Sequence, residues 1–286
     1  MNDDDTLRKL QQTEFQILST FADYCEREGL SWFIDGGTAL GARRHGGFIP
    51  WDDDIDVGML RADYERFVSS ARNDFPKGYS VHTPDTTDGI AGMFAKIYMD
   101  STSFDTSESL AAGIQQGIFI DVFPYDRLAA DSKVAARQRR KSRFWQNISY
   151  LYHSSVVSVP HGGCVGVVER YGCRVVHSLL RFFLTQQTIV RHFNRAFRIP
   201  ESNASDYVLT FAWPEMDGVP IDDLRNPATI EFEGRLFPCP SQIDSYLERM
   251  YGDWKILPDE SDRKTHLPLH LRFPDGGEWF SSESME

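Results

Sequence analysis

The sequence predicts a mixed α/β (α+β) fold, in which a β-sheet core flanked by helices is followed by a helical middle segment. Three observations carry this prediction. Short apolar runs bounded by turn residues alternate with helical patterns from residue 6 to residue 123. Residues 131–197 then follow a helical pattern that is broken only near 159–163. The chain has 286 residues and is 41% hydrophobic, which suits a globular protein with a sizeable core.

The front half of the chain supplies most of the predicted strands. Apolar residues of 6–28 form one helical stripe, and Gly29 ends that helix. The next patterns predict, in chain order, a strand at 32–34, a turn at 35–38, a short helix from 38 that ends at 46–47, a strand at 55–59, a helix at 63–73, and strands at 79–83, 93–99 and 117–123, the last closed by Pro124. Later residues predict a hairpin at 229–238 and a helix at 241–251. We expect a core at 1–130, a basic helical segment at 131–200, and a part at 201–286 that completes the same domain.

Several protein classes are not favoured by this sequence. The first ten residues lack the basic-then-apolar order of a signal peptide, and no uninterrupted apolar run reaches about 18 residues. The four cysteines are scattered, without a CxxC pair, and reduced thiols are expected. We therefore expect a cytoplasmic protein.

The charge is strongly asymmetric along the chain. The net charge is −12, yet residues 132–200 contain twelve Lys or Arg and one acid, Glu169, which leaves −23 on the remainder. The basic segment is expected to face something anionic, such as a phosphate-bearing substrate, lipid headgroups or nucleic acid. Within it, residues 174–184 combine an apolar and a cationic face. This pattern fits peripheral contact of residues 165–198 with an anionic membrane, and it also fits a core helix with one solvated face, which is slightly favoured.

A run of aspartates after a glycine turn indicates a metal and phosphate site. In an extended strand Asp54 and Asp56 share a face, where two carboxylates repel each other unless a cation lies between them. Mg²⁺ prefers one or two carboxylates together with substrate phosphates. Gly36 and Gly37 would let backbone N–H groups approach an anion at the start of a helix, with the Thr38 hydroxyl as a further donor.

Other residues could complete such a site. Asp121 is a lone acid in the apolar run 117–123, and it could join the metal or accept the proton of an attacking hydroxyl. Arg43, Arg44 and Lys96 could neutralise a diphosphate.

Two simpler interpretations of the aspartates remain open at this point. One is a solvated acidic turn. The other is a calcium loop that opens at Asp52 and closes at Asp63, although Val57 occupies the position that such a loop reserves for glycine.

The stretch from Gly36 to Asp56 closely resembles the signature of the LicD family of phosphotransferases, which are relatives of fukutin. Residues 117–124 resemble the second block of this family, and residues 251–254, 257–258 and 263–266 resemble its closing block. The resemblance implies a nucleotidyltransferase-like mixed sheet. It also implies transfer of phosphocholine, ribitol phosphate or glycerol phosphate from a CDP-activated donor to a sugar hydroxyl of a surface glycan or glycolipid.

The resemblance also assigns roles to residues of this chain. Asp54, Asp56 and Asp121 would be the catalytic, metal-binding carboxylates for Mg²⁺ (or Mn²⁺), and the glycine turn with Thr38 would hold the donor phosphates. Asp53, Arg263 and His266 are further candidates. Two alternatives stay open: a nucleotidyltransferase that acts on RNA or protein, disfavoured because no RNA-binding module is recognisable, and a calcium- or glycan-binding module without activity.

Overall fold

The structure is a computed structural model that describes residues 2–154, 163–263, 265 and 267–282. The helices are α1 (Asp3–Glu28), α2 (Gly36–His45), α3 (Arg61–Asp74), α4 (Ser107–Ala112), α5 (Ser132–His153), α6 (Gly163–Phe183), α7 (Gln186–Phe197), α8 (Ile221–Arg225) and α9 (Ile243–Tyr251). The strands are β1 (Phe33–Ile34), β2 (Asp56–Leu60), β3 (Tyr79–His82), β4 (Ala95–Met99), β5 (Ser103–Asp105), β6 (Phe119–Ala129), β7 (Ala204–Leu209), β8 (Val219–Pro220), β9 (Ala228–Phe232), β10 (Arg235–Cys239), β11 (His270–Arg272) and β12 (Glu278–Phe280).

The main sheet is mixed, which confirms the predicted fold class. Its strands lie in the order β1-β2-β6-β4-β3, with β7 paired to β6 and β8 paired to β7. The β2–β6 pair is parallel, whereas the other pairs of this sheet are antiparallel. Helices cover the sheet, and the apolar stripe of α1 is buried against it as predicted, with Leu10, Ile17 and Phe21 inaccessible to solvent. Gly29 ends α1 in the left-handed conformation.

The prediction that Pro124 closes its strand is wrong, because β6 continues through Pro124 to Ala129. The N–H of Asp121 points to β2, where it donates to the carbonyl of Ile55 at 2.9 Å. Since alternate N–H groups of a strand point the same way, the nitrogen of Pro124 points to the other side. There β4 stops pairing at Val122 and β7 begins at Asp126. The missing N–H therefore falls in a gap between two partner strands.

The predicted helical middle consists of α5, α6 and α7. Of the break expected near 159–163, residues 159–162 lie outside the described residues, and Gly163 begins α6. A further break was not predicted: the Thr185 side chain accepts a hydrogen bond from the N–H of Thr188 and caps α7. Both α6 and α7 pack against α5. Within the described parts of the chain, no helix is long and apolar enough to cross a membrane.

The C-terminal part contains one predicted and one unpredicted sheet. The hairpin forms as expected from β9 and β10, with Glu233 and Gly234 at positive φ in the turn. A second small sheet in the order β12-β11-β5 was not predicted. It joins residues 103–105 to residues 270–272, so the end of the described chain packs beside the middle of the front half.

Candidate active site

The predicted start of the helix at residue 38 is wrong, because α2 begins at Gly36. Gly36 and Gly37 lie in its first turn, which is called the glycine turn below and is anchored by the buried acid Asp35. Its carboxylate accepts hydrogen bonds from the N–H of Gly36 at 2.9 Å, from the Tyr125 hydroxyl at 2.9 Å, and from the Tyr246 hydroxyl. The Tyr246 oxygen also accepts from the N–H of Gly36 at 3.0 Å. Burial raises the pKa of Asp35, and these hydrogen bonds oppose the rise. Tyr125 on β6 and Tyr246 on α9 thus hold the turn in place through Asp35. This role of Asp35 was not predicted from the sequence.

The two glycines of the turn lie directly against carboxylates. Gly36 has φ of +50°, and a Cβ there would lie 2.9 Å from Oδ2 of Asp56. A Cβ on Gly37 would lie 3.0 Å from Oδ2 of Asp52. Glycine suits the first position because of its backbone conformation, and a Cβ at either position would displace the end of an aspartate side chain. The N-terminus of α2 and the aspartates therefore face the same small volume.

Thr38 is buried, and its hydroxyl accepts a hydrogen bond from the N–H of Asp56 at 2.8 Å. The N–H of Asp35 in turn donates to the carbonyl of Asp56 at 3.0 Å. These two bonds tie the beginning of β2 to the beginning of α2. The structure thus shows Thr38 as a residue that positions Asp56, and its contact with a donor phosphate stays a prediction.

Three predicted site residues lie in one row across the sheet. Asp56 on β2 is in register with Asp121 on β6, and Asp121 is in register with Lys96 on β4. Neighbouring strands are about 4.8 Å apart, and in-register side chains project from the same face. The row therefore brings together two carboxylates and an ammonium group. Asp54 precedes β2 and is exposed.

Lys96 and Asp121 form a largely buried ion pair. Nζ of Lys96 is 2.7 Å from Oδ1 of Asp121, and the side chains are 16% and 14% exposed. The ammonium also lies 3.5 Å from the ring centre of Phe119. Burial raises the pKa of Asp121 to about 6, although Lys96 opposes the rise. A carboxylate with such a pKa can exchange a proton near neutral pH.

A further acid, which is not among the predicted site residues, comes from α1. Glu14 is 2% exposed, and its Oε2 has no hydrogen-bond partner among the described residues. Burial raises its pKa well above the ordinary value, and repulsion from Asp54, Asp53 and Asp52 adds to this. A signal existed in the sequence: residue 14 falls within the apolar stripe of α1, four residues after Leu10.

The loop before β2 adds two more carboxylates, which exclude the simpler interpretations. Asp52 is half-buried, and its pKa is raised to about 8 by burial, with repulsion from Asp54 and Asp53. Asp53 is half-buried as well, although Asp54 is exposed, so the run is not a fully solvated turn. It is not a calcium loop either, because Asp56 begins a strand and Asp63 lies on α3, paired with Arg66 at 2.9 Å.

The donor chemistry of this site fits a divalent cation. Burial, then repulsion from Asp54 and Asp121, raises the pKa of Asp56 well above its ordinary value. A cation would relieve the repulsion among these carboxylates, and Mg²⁺ takes such oxygen ligands. Within the described ranges, however, no three Asp, Glu, His or Cys side chains already form a metal-binding group. The three-carboxylate ligand set therefore stays a prediction.

The two arginines of α2 have different surroundings. Arg43 points to α9, where its guanidinium pairs with Asp244 through distances of 2.7 and 3.3 Å. Arg44 donates to the carbonyl of Trp254 at 3.0 Å, and its buried Nε has no partner among the described atoms. Burial lowers the pKa of Arg44, and the charge of Asp52 opposes this. Arg44 is therefore the one of the pair that lies near the acids.

Residues of the closing block also reach this region. Burial raises the pKa of Tyr251, and the charges of Asp56 and Asp35 raise it further. Arg263 lies over the ring of Trp51 at 4.9 Å, beside the loop that carries the aspartates. His266, the other candidate of this block, lies outside the described residues.

A cavity of about 290 Å³ opens beside the row. Its lining includes Lys96, Tyr98, Ser109, Gln116, Tyr150 and His153. A larger cleft of about 970 Å³ lies elsewhere, at Arg61 and Asp126 near the far ends of β2 and β6. The length of β2 separates it from Asp56 by about 13 Å. Of these two, the smaller cavity is the one that a predicted site residue, Lys96, lines.

Comparison with known proteins agrees with the resemblance. The family model for the LicD/FKTN/FKRP nucleotidyltransferase domain matches residues 29–155. The chain is 31% identical over 264 residues to the lipopolysaccharide cholinephosphotransferase LicD of Haemophilus influenzae, which covers 91% of this chain and 96% of that protein. The chain belongs to the LicD family. The part matched by the LicD model contains the glycine turn, the aspartate run, Lys96 and Asp121.

A second relative is similar over a shorter stretch. The ribitol 5-phosphate transferase FKRP of Homo sapiens is 39% identical over 57 residues, which is 20% of this LicD-family chain and 11% of the human protein. The mouse protein of the same name gives the same values.

Proposed function

We propose that this LicD-family protein is a metal-dependent phosphotransferase. It moves a phospho-alcohol (phosphocholine, ribitol phosphate or glycerol phosphate) from a CDP-activated donor to a sugar hydroxyl of a surface glycan or glycolipid. The observation that carries the proposal is the row of Asp56, Asp121 and Lys96 beside the glycine turn. The names of the two relatives, one a cholinephosphotransferase and the other a ribitol 5-phosphate transferase, support the class of group transferred.

The protein groups divide into two sets during the transfer. Asp54, Asp56 and Asp121 would hold Mg²⁺ (or Mn²⁺), which supplies charge neutralisation of the donor diphosphate. The N–H groups of Gly37 and Thr38 begin α2 without intrahelical acceptors and point to the same volume, where they bind the donor phosphates. Arg44 and Lys96 add positive charge next to this site.

The transfer itself is a displacement at phosphorus. The acceptor hydroxyl attacks the phosphorus that carries the alcohol, a new P–O bond forms, and the P–O bond to CMP breaks. Asp121 accepts the hydroxyl proton, because it lies in register with Lys96, which lines the adjoining cavity. Lys96, held at 2.7 Å from Asp121, then stabilises the negative charge that develops beside it.

The cavity beside Lys96 suits the acceptor sugar. Ser109, Gln116 and His153 offer hydrogen-bonding groups for sugar hydroxyls, and the rings of Tyr98 and Tyr150 offer apolar faces for the sugar ring. A sugar in this cavity would present a hydroxyl on the Lys96 side, next to Asp121. We further propose that the enzyme works in the cytoplasm, at the inner face of a membrane, where a lipid-linked acceptor would be found.

Thermal shift with and without Mg²⁺ tests the donor class. The ligands are CDP-choline, CDP-ribitol and CDP-glycerol, with CTP, ATP, GTP and UTP as the comparison set. A CDP-alcohol that stabilises the protein only with metal supports the proposal and identifies the donor, because a ligand that binds only the native state raises the Tm. Stabilisation by a nucleoside triphosphate alone would instead favour a nucleotidyltransferase.

Asp56→Asn tests the metal role with the stabilising donor. The variant should lose metal-dependent donor stabilisation and CMP release. Its Tm at neutral pH should be no lower than that of the wild-type protein, because burial raises the pKa of Asp56 and its ionised form destabilises the fold. Asp74→Asn is the matched control, because Asp74 is exposed on α3 and pairs with Arg27 far from the turn. Full turnover in Asp56→Asn would remove the basis of the metal assignment.

A further inference from the structure

The outward side of α6 is more apolar than the side that packs on the protein. Cys173, His177, Leu180 and Leu184 are half-buried, and a ring nitrogen of His177 lies 2.9 Å from the carbonyl oxygen of Leu151 on α5. The opposite side, called here the outer face of α6, consists of Val175, Val176, Leu179, Phe182 and Phe183. Helices of water-soluble proteins normally show the reverse arrangement.

The outer face forms one continuous stripe. Its positions are spaced by one, four, seven and eight residues from the first, which places them on one side of a helix. Phe182 and Phe183 are 80% and 73% exposed, and Leu179 is 52% exposed. Large apolar side chains clustered and exposed in this way mark an interaction surface.

Positive charge accompanies the stripe. Arg174 and Arg181 lie along one edge of it on the same helix, and residues 132–200 carry a net charge of +11 in a protein of net charge −12. Anionic lipid bilayers combine negative headgroups with an apolar interior, so they match both properties at once. RNA would match the arginines but not the exposed phenylalanines, and an apolar partner protein would leave the charge asymmetry without a role.

We propose that the outer face of α6 docks the protein on an anionic lipid bilayer. Phe182 and Phe183 insert at the boundary between headgroups and acyl chains, and Arg174 and Arg181 contact lipid phosphates. This deepens the membrane association proposed above by naming the surface. The docking surface itself does not depend on which reaction the enzyme performs.

The α6 helix lies close to the cavity assigned to the acceptor, an assignment that rests on the proposed function. The helix packs on the end of α5, near Leu151. Tyr150 and His153 from the same end of α5 line the cavity assigned to the acceptor. A bilayer at the outer face would therefore lie one helix away from the acceptor cavity, which favours an acceptor that is anchored in lipid.

Vesicle co-sedimentation of the full chain tests the docking. The probes are vesicles of phosphatidylcholine alone and vesicles that also contain phosphatidylglycerol. The wild-type protein should sediment with the anionic vesicles, less so at high salt, and should stay in solution with the neutral ones. Phe182→Ser/Phe183→Ser should weaken this binding by about tenfold or more. Leu236→Ser is the control, because Leu236 is 66% exposed on β10, and it should bind like the wild type.

The docking is overturned if the wild-type protein does not bind anionic vesicles, or if the double variant binds them equally well. It is also overturned if light scattering shows a wild-type dimer that Phe182→Ser/Phe183→Ser abolishes and Leu236→Ser does not. Salt-dependent RNA binding in place of vesicle binding would do the same. The donor thermal shift, run on the same samples, separates the two proposals. Binding to vesicles without stabilisation by any CDP-alcohol supports the docking surface and contradicts the proposed reaction. Stabilisation by a CDP-alcohol without binding to vesicles supports the reaction and contradicts the docking surface.

Discussion

Gly36→Ala is the substitution that tests most directly whether the glycine turn and Asp56 act together. Gly36 has φ of +50°, a conformation that costs an L-residue about 1–2 kcal/mol. The new Cβ would also lie 2.9 Å from Oδ2 of Asp56, so that carboxylate must move. Because the atom in contact is the end of a side chain, the movement costs little stability. It does displace a carboxylate that the proposed reaction requires in place.

Gly46→Ala provides the matched control on the same helix. Gly46 ends α2 with φ of +72°, and a Cβ there would meet nothing within 4 Å. Both variants should therefore lose about 1–2 kcal/mol, which in a chain of this size lowers the Tm by roughly 2–8 °C. Only Gly36→Ala should lose function, because a misplacement of about 1 Å at a reacting centre can reduce the rate by about a hundredfold.

The measurements are the Tm of each variant and its rate of CMP release from the donor identified by thermal shift. We expect equal losses of Tm, a large loss of rate in Gly36→Ala, and a nearly unchanged rate in Gly46→Ala. Equal rates in the two variants would refute the reasoning, because the close approach of the turn to Asp56 would then have no functional role.

Three other substitutions test the charges and hydrogen bonds around the site. Glu14→Gln should raise the Tm at pH 8 and leave it unchanged at pH 4. The reason is that the pKa of Glu14 is raised in the folded protein, so its carboxyl group destabilises the fold only at pH values above its pKa in the unfolded chain. Lys96→Met should lower the free energy of unfolding by about 3–5 kcal/mol at pH 8, because it leaves the buried charge of Asp121 unpaired. The loss should be smaller at pH 5, where Asp121 is mostly protonated. An equal loss at both pH values, measured by denaturant unfolding, would contradict the ion pair. Tyr246→Phe should cost about 1–3 kcal/mol, because it removes a buried hydroxyl that bonds to both Asp35 and Gly36; an unchanged Tm would argue against that network.

The sequence predicted the parts of the fold that depend on local pattern. The stripe of α1, the strand at 55–59 and the hairpin at 229–238 all appear, because periodicity and turn residues determine them over a few positions. The sheet of β5, β11 and β12 has strands of three residues joined across most of the chain, which is too short for any periodicity to show. The prediction at Pro124 was wrong because a proline in a strand costs a hydrogen bond only if a partner strand lies on the side to which its nitrogen points. That information is not in the local sequence.

The same distinction applies to the site. The glycine turn and the aspartates lie within one stretch, and a spacing argument could find them. The pairing of Lys96 with Asp121 depends on the register of two strands, and the bond from Tyr246 to Asp35 spans 211 residues. Neither has a local signal. Glu14 is intermediate, because an acid within an apolar stripe is visible in the sequence but its neighbours are not.

Four acids at this site lower the stability of the fold, and function is the better explanation for their presence. They are Glu14, Asp52, Asp56 and Asp121. These carboxylates come from three separate parts of the chain, and burial raises the pKa of each. Each therefore destabilises the folded protein when it ionises, by an amount that grows with pH. Apolar residues in these positions would avoid that cost. Several destabilising residues clustered in one small volume are expected at a functional site. A bound cation would restore part of the lost stability, because it binds only the folded protein.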